Sequence, residues 1–230
     1  MTTATLDAPT VERILSLGKR ARLILRAVAN VAAKERMRFA LNGVQIQATG
    51  GKLRLTATDG RRLLRVEAEA SAFFDCDAIA FRAGGFPDTE PVLVSGDALR
   101  AIRVRDAVTW EGGRLGLLVG ETFCAFPETE GVFPGVDDVI PAKHARLVGP
   151  ERLDSDAHTE PVPMGFNPVL LGGLLKSASD IHDGDVNAVR FSWVDPDAVA
   201  TRLRIAPPLR LDGRSRGVEF TGVLMPVSLD

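Results

Sequence analysis

The sequence predicts an α+β fold of repeated strand–helix–antiparallel-meander units. Three observations carry that expectation. Apolar and polar residues alternate through residues 43–49 and 52–58, either side of Gly50-Gly51, and a further strand follows Asp59-Gly60, the pattern of half-buried strands joined by tight turns. Within residues 18–33, Ile24, Leu25, Val28, Val31 and Ala32 instead recur at helical spacing. The order strand, helix, meander then returns twice more along the chain.

Taken in order, residues 1–10 are small and polar and are expected to fray. A first strand is expected over 11–17 and a helix over 18–33, with Lys19, Arg22 and Arg26 together on its polar side. A basic loop, 34–39, leads into the first meander. A strand is expected at 78–82 inside a longer connection, and another at 92–94. Ser95 is a suitable N-cap for a second helix over 97–102. The second meander follows as 107–111, Gly112-Gly113, 114–119 and 122–126. Residues 142–163, polar and proline-containing, read as a linker between a domain of two units (1–141) and a half-domain (164–230). Asn167-Pro168 is an N-cap followed by proline at the first helical position. That third helix is expected to reach about residue 178 although Gly172-Gly173 weakens it. Strands at 188–194, 198–205 and 217–227 complete the third meander.

Composition excludes several classes. At 230 residues the chain can bury one large core or two small ones, and 45% hydrophobic with 25% charged residues is ordinary for a globular protein. A net charge of -2 means that any surface for nucleic acid must come from sorting charges by face. No apolar run spans a membrane and the first residues lack a signal-peptide pattern, so a cytoplasmic protein is expected. Cys76 and Cys124 make no disulfide framework and are expected to be buried thiols. No phosphate loop, G-x-S-x-G or H-E-x-x-H motif is present, so no enzyme and no cofactor are expected. Asp180, His182, Asp183 and Asp185 form the one local cluster with metal-ligand chemistry, and a polar turn is the simpler reading.

Four motifs in order carry a family resemblance. They are Leu41-Asn42-Gly43 with Thr58-Asp59-Gly60-Arg61-Arg62-Leu63; Phe133-Pro134-Gly135-Val136-Asp137-Asp138-Val139-Ile140-Pro141; Gly165-Phe166-Asn167-Pro168 with its leucine-rich helix; and Val223-Leu224-Met225-Pro226-Val227-Ser228-Leu229. Together they resemble the bacterial DNA polymerase III beta subunit, the sliding clamp. The resemblance implies a DNA-clamp fold with sheets outside and helices facing a central hole. It implies a homo-oligomer around duplex DNA, bound without regard to sequence. DNA polymerase and clamp loader would dock through short linear motifs.

The same resemblance implies two surfaces. An apolar peptide cleft would use Leu41, Thr58, Gly60, Arg61, Arg62, Leu63, Pro134, Val139, Met225 and Pro226, with methionine adapting to varied side chains and glycine admitting a peptide backbone. A DNA-facing surface would use Lys19, Arg22, Arg26, Lys34, Arg36, Arg38 and Phe39, with Arg100, Arg103 and Lys176 on the other helices. Such cations reach phosphates and carry no base information. Considered one by one, a hairpin turn, a strand end and a solvated helix face are the plainer readings of these features. The sequence also departs from the family. Arg61 stands for the usual His, Asp137-Asp138 for two basic residues and Ser228 for an Arg, which makes the cleft rim more acidic. The chain matches the family's middle domain and half of its last, giving three units. A ring then implies four chains, or three if residues 142–163 hold a further unit; the alternative is a non-ring, peptide-binding adaptor or regulator of replication proteins.

Overall fold

The computed structural model describes residues 15–16, 19–35, 39–73, 86–103, 105–137, 140, 166–182, 190–193, 209–215 and 217–225. The expected strands at 78–82 and 198–205, the linker 142–163, and Arg36, Arg38, Val139 and Pro226 lie outside them.

In chain order the elements are β1 (Leu15–Ser16), α1 (Lys19–Ala29), a 3-10 turn (Phe39–Leu41), β2 (Gly43–Thr49), β3 (Lys52–Thr58), β4 (Arg62–Glu69) and α2 (Ala70–Phe73). They continue as β5 (Val92–Ser95), α3 (Gly96–Ala101), β6 (Val108–Glu111), β7 (Arg114–Val119), β8 (Thr122–Ala125), α4 (Pro168–Ile181), β9 (Arg190–Trp193), β10 (Leu209–Ser215) and β11 (Val218–Leu224). One sheet has four strands in the order β1-β6-β7-β8 and the other seven in the order β5-β2-β3-β4-β11-β10-β9. The first strand of the chain thus completes the second meander, and the last strand joins the first meander antiparallel, β11 against β4.

Alternation decides which face each strand buries. Leu53, Leu55, Ala57, Leu64, Val66, Val218, Phe220 and Leu224 join Ile24, Leu25 and Val28 of α1 and Leu174, Ala178 and Ile181 of α4 in one core. The helices pack on each other through small residues. Ser177 Oγ donates to the Ala27 carbonyl at 3.2 Å, so α1 and α4 approach closely along that line. The caps expected from sequence are made: Ser95 Oγ accepts from Ala98 N, and Asn167 Oδ1 from Val169 N and Leu170 N. These satisfy N–H groups that have no partner within the helix.

Three expectations are corrected. The middle strand of the third meander is β10, over residues that follow two prolines and contain Asp212-Gly213. Gly213 lies within this strand, where the Phe220 ring covers it and leaves no room for a side chain. The turn to β11 is at Gly217, whose φ is 76°. The first helix ends at Ala29, short of residue 33, because Arg100 Nη1 takes the Ala29 carbonyl at 2.5 Å and the chain turns away. Cys124 is exposed rather than buried, since β8 is an edge strand of the smaller sheet.

Candidate functional site

The turn from β3 to β4 is fixed by its own side chains. Thr58 Oγ1 donates to the Arg62 carbonyl at 2.8 Å and accepts from Gly60 N at 3.1 Å. Asp59 Oδ1 accepts from Arg61 N at 2.9 Å and Arg62 N at 3.0 Å, the Asx arrangement that aspartate favours in turns. Gly60 has φ 85°, where a Cβ would be strained. The turn therefore holds one shape, and β4 leaves it in fixed register.

That register brings the end of β11 onto the turn. Leu63 stands opposite Val223, Arg62 opposite Leu224, and Met225 N donates to the Arg61 carbonyl at 2.9 Å. Leu63 and Val223 point to the sheet face away from α1. There they form a second apolar cluster with Phe133 and Val136, against which Leu93 and Ile140 pack. Met225 is 37% exposed at its margin, and Pro134 and Gly135 are exposed beside it. Further along this outer face the sheet turns polar. One cross-strand row runs Gln45, Thr56, Arg65, Thr221, Asp212, and the next Gln47, Arg54, Glu67, Glu219, Arg214. Apart from Leu93, opposite Gln45 on the edge strand β5, the apolar residues on the described outer face are thus at the Leu63–Val223 end.

Several sequence-predicted residues are placed elsewhere. Arg62 lies on the helix face: Nε meets Asp59 at 2.9 Å, Nη2 donates to the Asn30 carbonyl at 3.2 Å, and its guanidinium rests on Gly173. Gly173 in α4 thereby makes room for Arg62. Leu41 is half-buried and its carbonyl accepts from Ala33 N at 2.8 Å, in a hub where Asn42 O accepts from Gly96 N and Asn42 Oδ1 from Arg100. It is not in the cluster around Leu63. Asp137, expected to make the rim acidic, is paired with Arg65 at 2.7 Å. Phe133, Val136 and Val223 belong to the site although the sequence alone did not single them out as lining residues. The signal for Val223 was its apolar side chain at an outward position, after Glu219 and Thr221.

The candidate DNA-facing cations divide into two groups. Lys19, Arg26, Lys34 and Arg103 are exposed. Arg22 is half-buried with Nη1 donating to the Asp106 carbonyl at 2.6 Å, and Lys176 pairs with Asp180 at 2.9 Å. Arg100 is committed to Ala29 O, Asn42 Oδ1 and Asp97. Phe39 lies in the 3-10 turn. No group of three or more His, Cys, Asp or Glu able to hold a metal occurs among the described residues. At the end of α4, His182 is buried against the Phe220 ring; burial, and secondarily the Arg20 charge, push its pKa below the usual 6.5. No helix among the described residues is long and apolar enough to cross a membrane.

The architecture is that of a DNA sliding clamp. Solved structures with this fold include the DNA polymerase III beta chain of Streptococcus pneumoniae, with TM-score 0.61, 16% identity, and 98% of this chain and 67% of that chain covered. They also include the Pseudomonas aeruginosa sliding clamp bound to griselimycin, with TM-score 0.59, 16% identity, and 99% of this chain and 68% of that chain covered. In sequence, the chain is similar to the beta sliding clamp of Synechocystis sp., 28% identical over 137 residues, 56% of this chain and 35% of that protein. The chain thus spans about a third of the length of the curated relative it matches. No family model matches it.

Proposed function

We propose that the protein is a sliding-clamp-like, non-enzymatic processivity factor. Residues 1–141 act as a two-unit domain and 164–230 as a half-domain. Copies of the chain assemble around duplex DNA and tether a polymerase and other partners through the Leu63–Val223–Met225 cleft. The observation that supports this most directly is the β4–β11 pairing. It draws three separate motifs, around residues 58–63, 133–136 and 223–225, onto one apolar spot on an otherwise polar sheet face. Short peptides burying two or three apolar side chains there bind at about micromolar strength, which suits partners that exchange. Lys19, Arg26 and Lys34 supply a sequence-neutral attraction to phosphates.

The test is mass in solution together with retention on nicked circular DNA after loading. Oligomers that stay on circles and leave when the circles are linearised support the ring. A monomer that binds peptides but is never retained establishes the adaptor instead.

A further inference from the structure

We infer that Arg65 is the carboxylate-recognising residue of the cleft, and that Asp137 holds its guanidinium until a partner peptide with an acidic side chain takes over. The inference rests on the peptide-cleft reading and specifies the chemistry of the ligand.

The Arg65–Asp137 pair is lopsided. The Arg65 side chain is 15% exposed, and that of Asp137, on an irregular segment, is 79% exposed. A mostly buried guanidinium needs a counter-charge, because an unpaired buried charge is costly. An exposed loop carboxylate gains little from the same contact, since water and loop freedom compete for it. Asp137 is therefore replaceable, provided that another carboxylate arrives.

The surroundings provide for one. Arg65 Nε is buried and has no acceptor. Thr56, directly across from Arg65 in the register and 1% exposed, carries a buried hydroxyl that also lacks a partner. On the other side Thr221 already donates to Asp212 at 2.9 Å. Two unfilled donors, the Thr56 hydroxyl and the guanidinium's own Nε, thus sit on neighbouring strands and the same sheet face, and the planar fork of Arg65 suits a carboxylate.

Spacing sets where the acid belongs in the ligand. Arg65 is two residues from Leu63 along β4 and on the same face, about 7 Å away. An extended peptide repeats its side chains with the same step. Met225 lies a further two residues along, beside Arg61, so a ligand whose apolar anchor rests at the Met225 margin presents the residue four positions away to Arg65.

The experiment uses the full chain and two labelled peptides with a Leu-Phe anchor. One carries Asp four residues to either side of the anchor and the other Asn at both places. Fluorescence anisotropy should show the Asp peptide binding about tenfold more tightly, a difference of about 1.4 kcal/mol. R65M should abolish that preference, and D137N, which removes the internal competitor, should enlarge it. Equal binding of both peptides to the wild type overturns the role of Arg65 and leaves the cleft standing; failure of both to bind overturns the cleft itself. If D137N weakens both peptides alike, the pair is a structural latch and the inference falls, whatever the folding of R65M.

Discussion

Leu63 and Val223 face each other across β4 and β11, and are 3% and 1% exposed beneath Phe133 and Val136. The cleft floor is therefore a small core in its own right, and its accessible apolar surface lies at the margin. Met225→Ala and Leu63→Ala should separate these roles. Met225→Ala should weaken a Gln-x-x-Leu-Phe-type peptide with little change in stability. Leu63→Ala should in addition destabilise by about 2–4 kcal/mol. Titration by anisotropy alongside urea denaturation checks both, and undiminished affinity in the double variant would remove the cleft from consideration.

The exposed cations of α1 predict a different measurement. Changing Lys19, Arg22 and Arg26 to Glu should weaken duplex binding and flatten its dependence on salt, by about 0.9 in slope for each phosphate no longer neutralised. Arg22 is engaged with the Asp106 carbonyl, so Lys19 and Arg26 should account for most of the change. A slope equal to wild type would mean that this face is only solvated.

Arg100 should behave in the opposite way. Its guanidinium closes the end of α1 through the Ala29 carbonyl and joins Asn42 to Asp97. Arg100→Ala should cost about 2 kcal/mol in urea unfolding, the worth of a charged hydrogen bond to a part-buried carbonyl, with the DNA salt slope unchanged. A flattened slope at full stability would return Arg100 to the DNA-facing set.

His182 gives the fold an acid sensitivity. Its folded pKa lies below the unfolded value of 6.5, so below that pH the unfolded chain binds the extra proton more readily. The stability from neutral His182 is fully present above pH 6.5 and is lost as pH falls toward the folded pKa. Comparing unfolding at pH 7.5 and 5.5 in wild type and His182→Gln should show a smaller loss in the variant. Parallel pH profiles would exclude His182 as the source.

The sequence was most readable where local chemistry decides structure. The alternation through β2 and β3, the glycine turns, the Asn167 cap and the Ser95 cap all depend on near neighbours. β10 was not readable, because it holds Asp212 and Gly213, residues poor in strands, and Gly213 is accommodated only by the Phe220 ring lying across it. Arg62 was carried into the cleft by the resemblance, yet alternation along β4 sends its side chain to the helix side, onto Gly173. The pair Leu63-Leu64 did hold a usable signal, since consecutive apolar residues in a strand mean that both faces are covered. The Arg65–Asp137 pair spans distant segments, and no spacing rule in a single chain connects them.

The β4–β11 seam also has a consequence for how the protein is made. The strand that carries Leu63 is finished early in synthesis, and its partner, Val218–Leu224, emerges only after the second meander and α4. Until then β4 is an open edge, a template for mispairing, and the apolar cluster around Leu63 lacks Val223. That cluster is completed only once the later units have been translated and β11 has folded back onto the first meander.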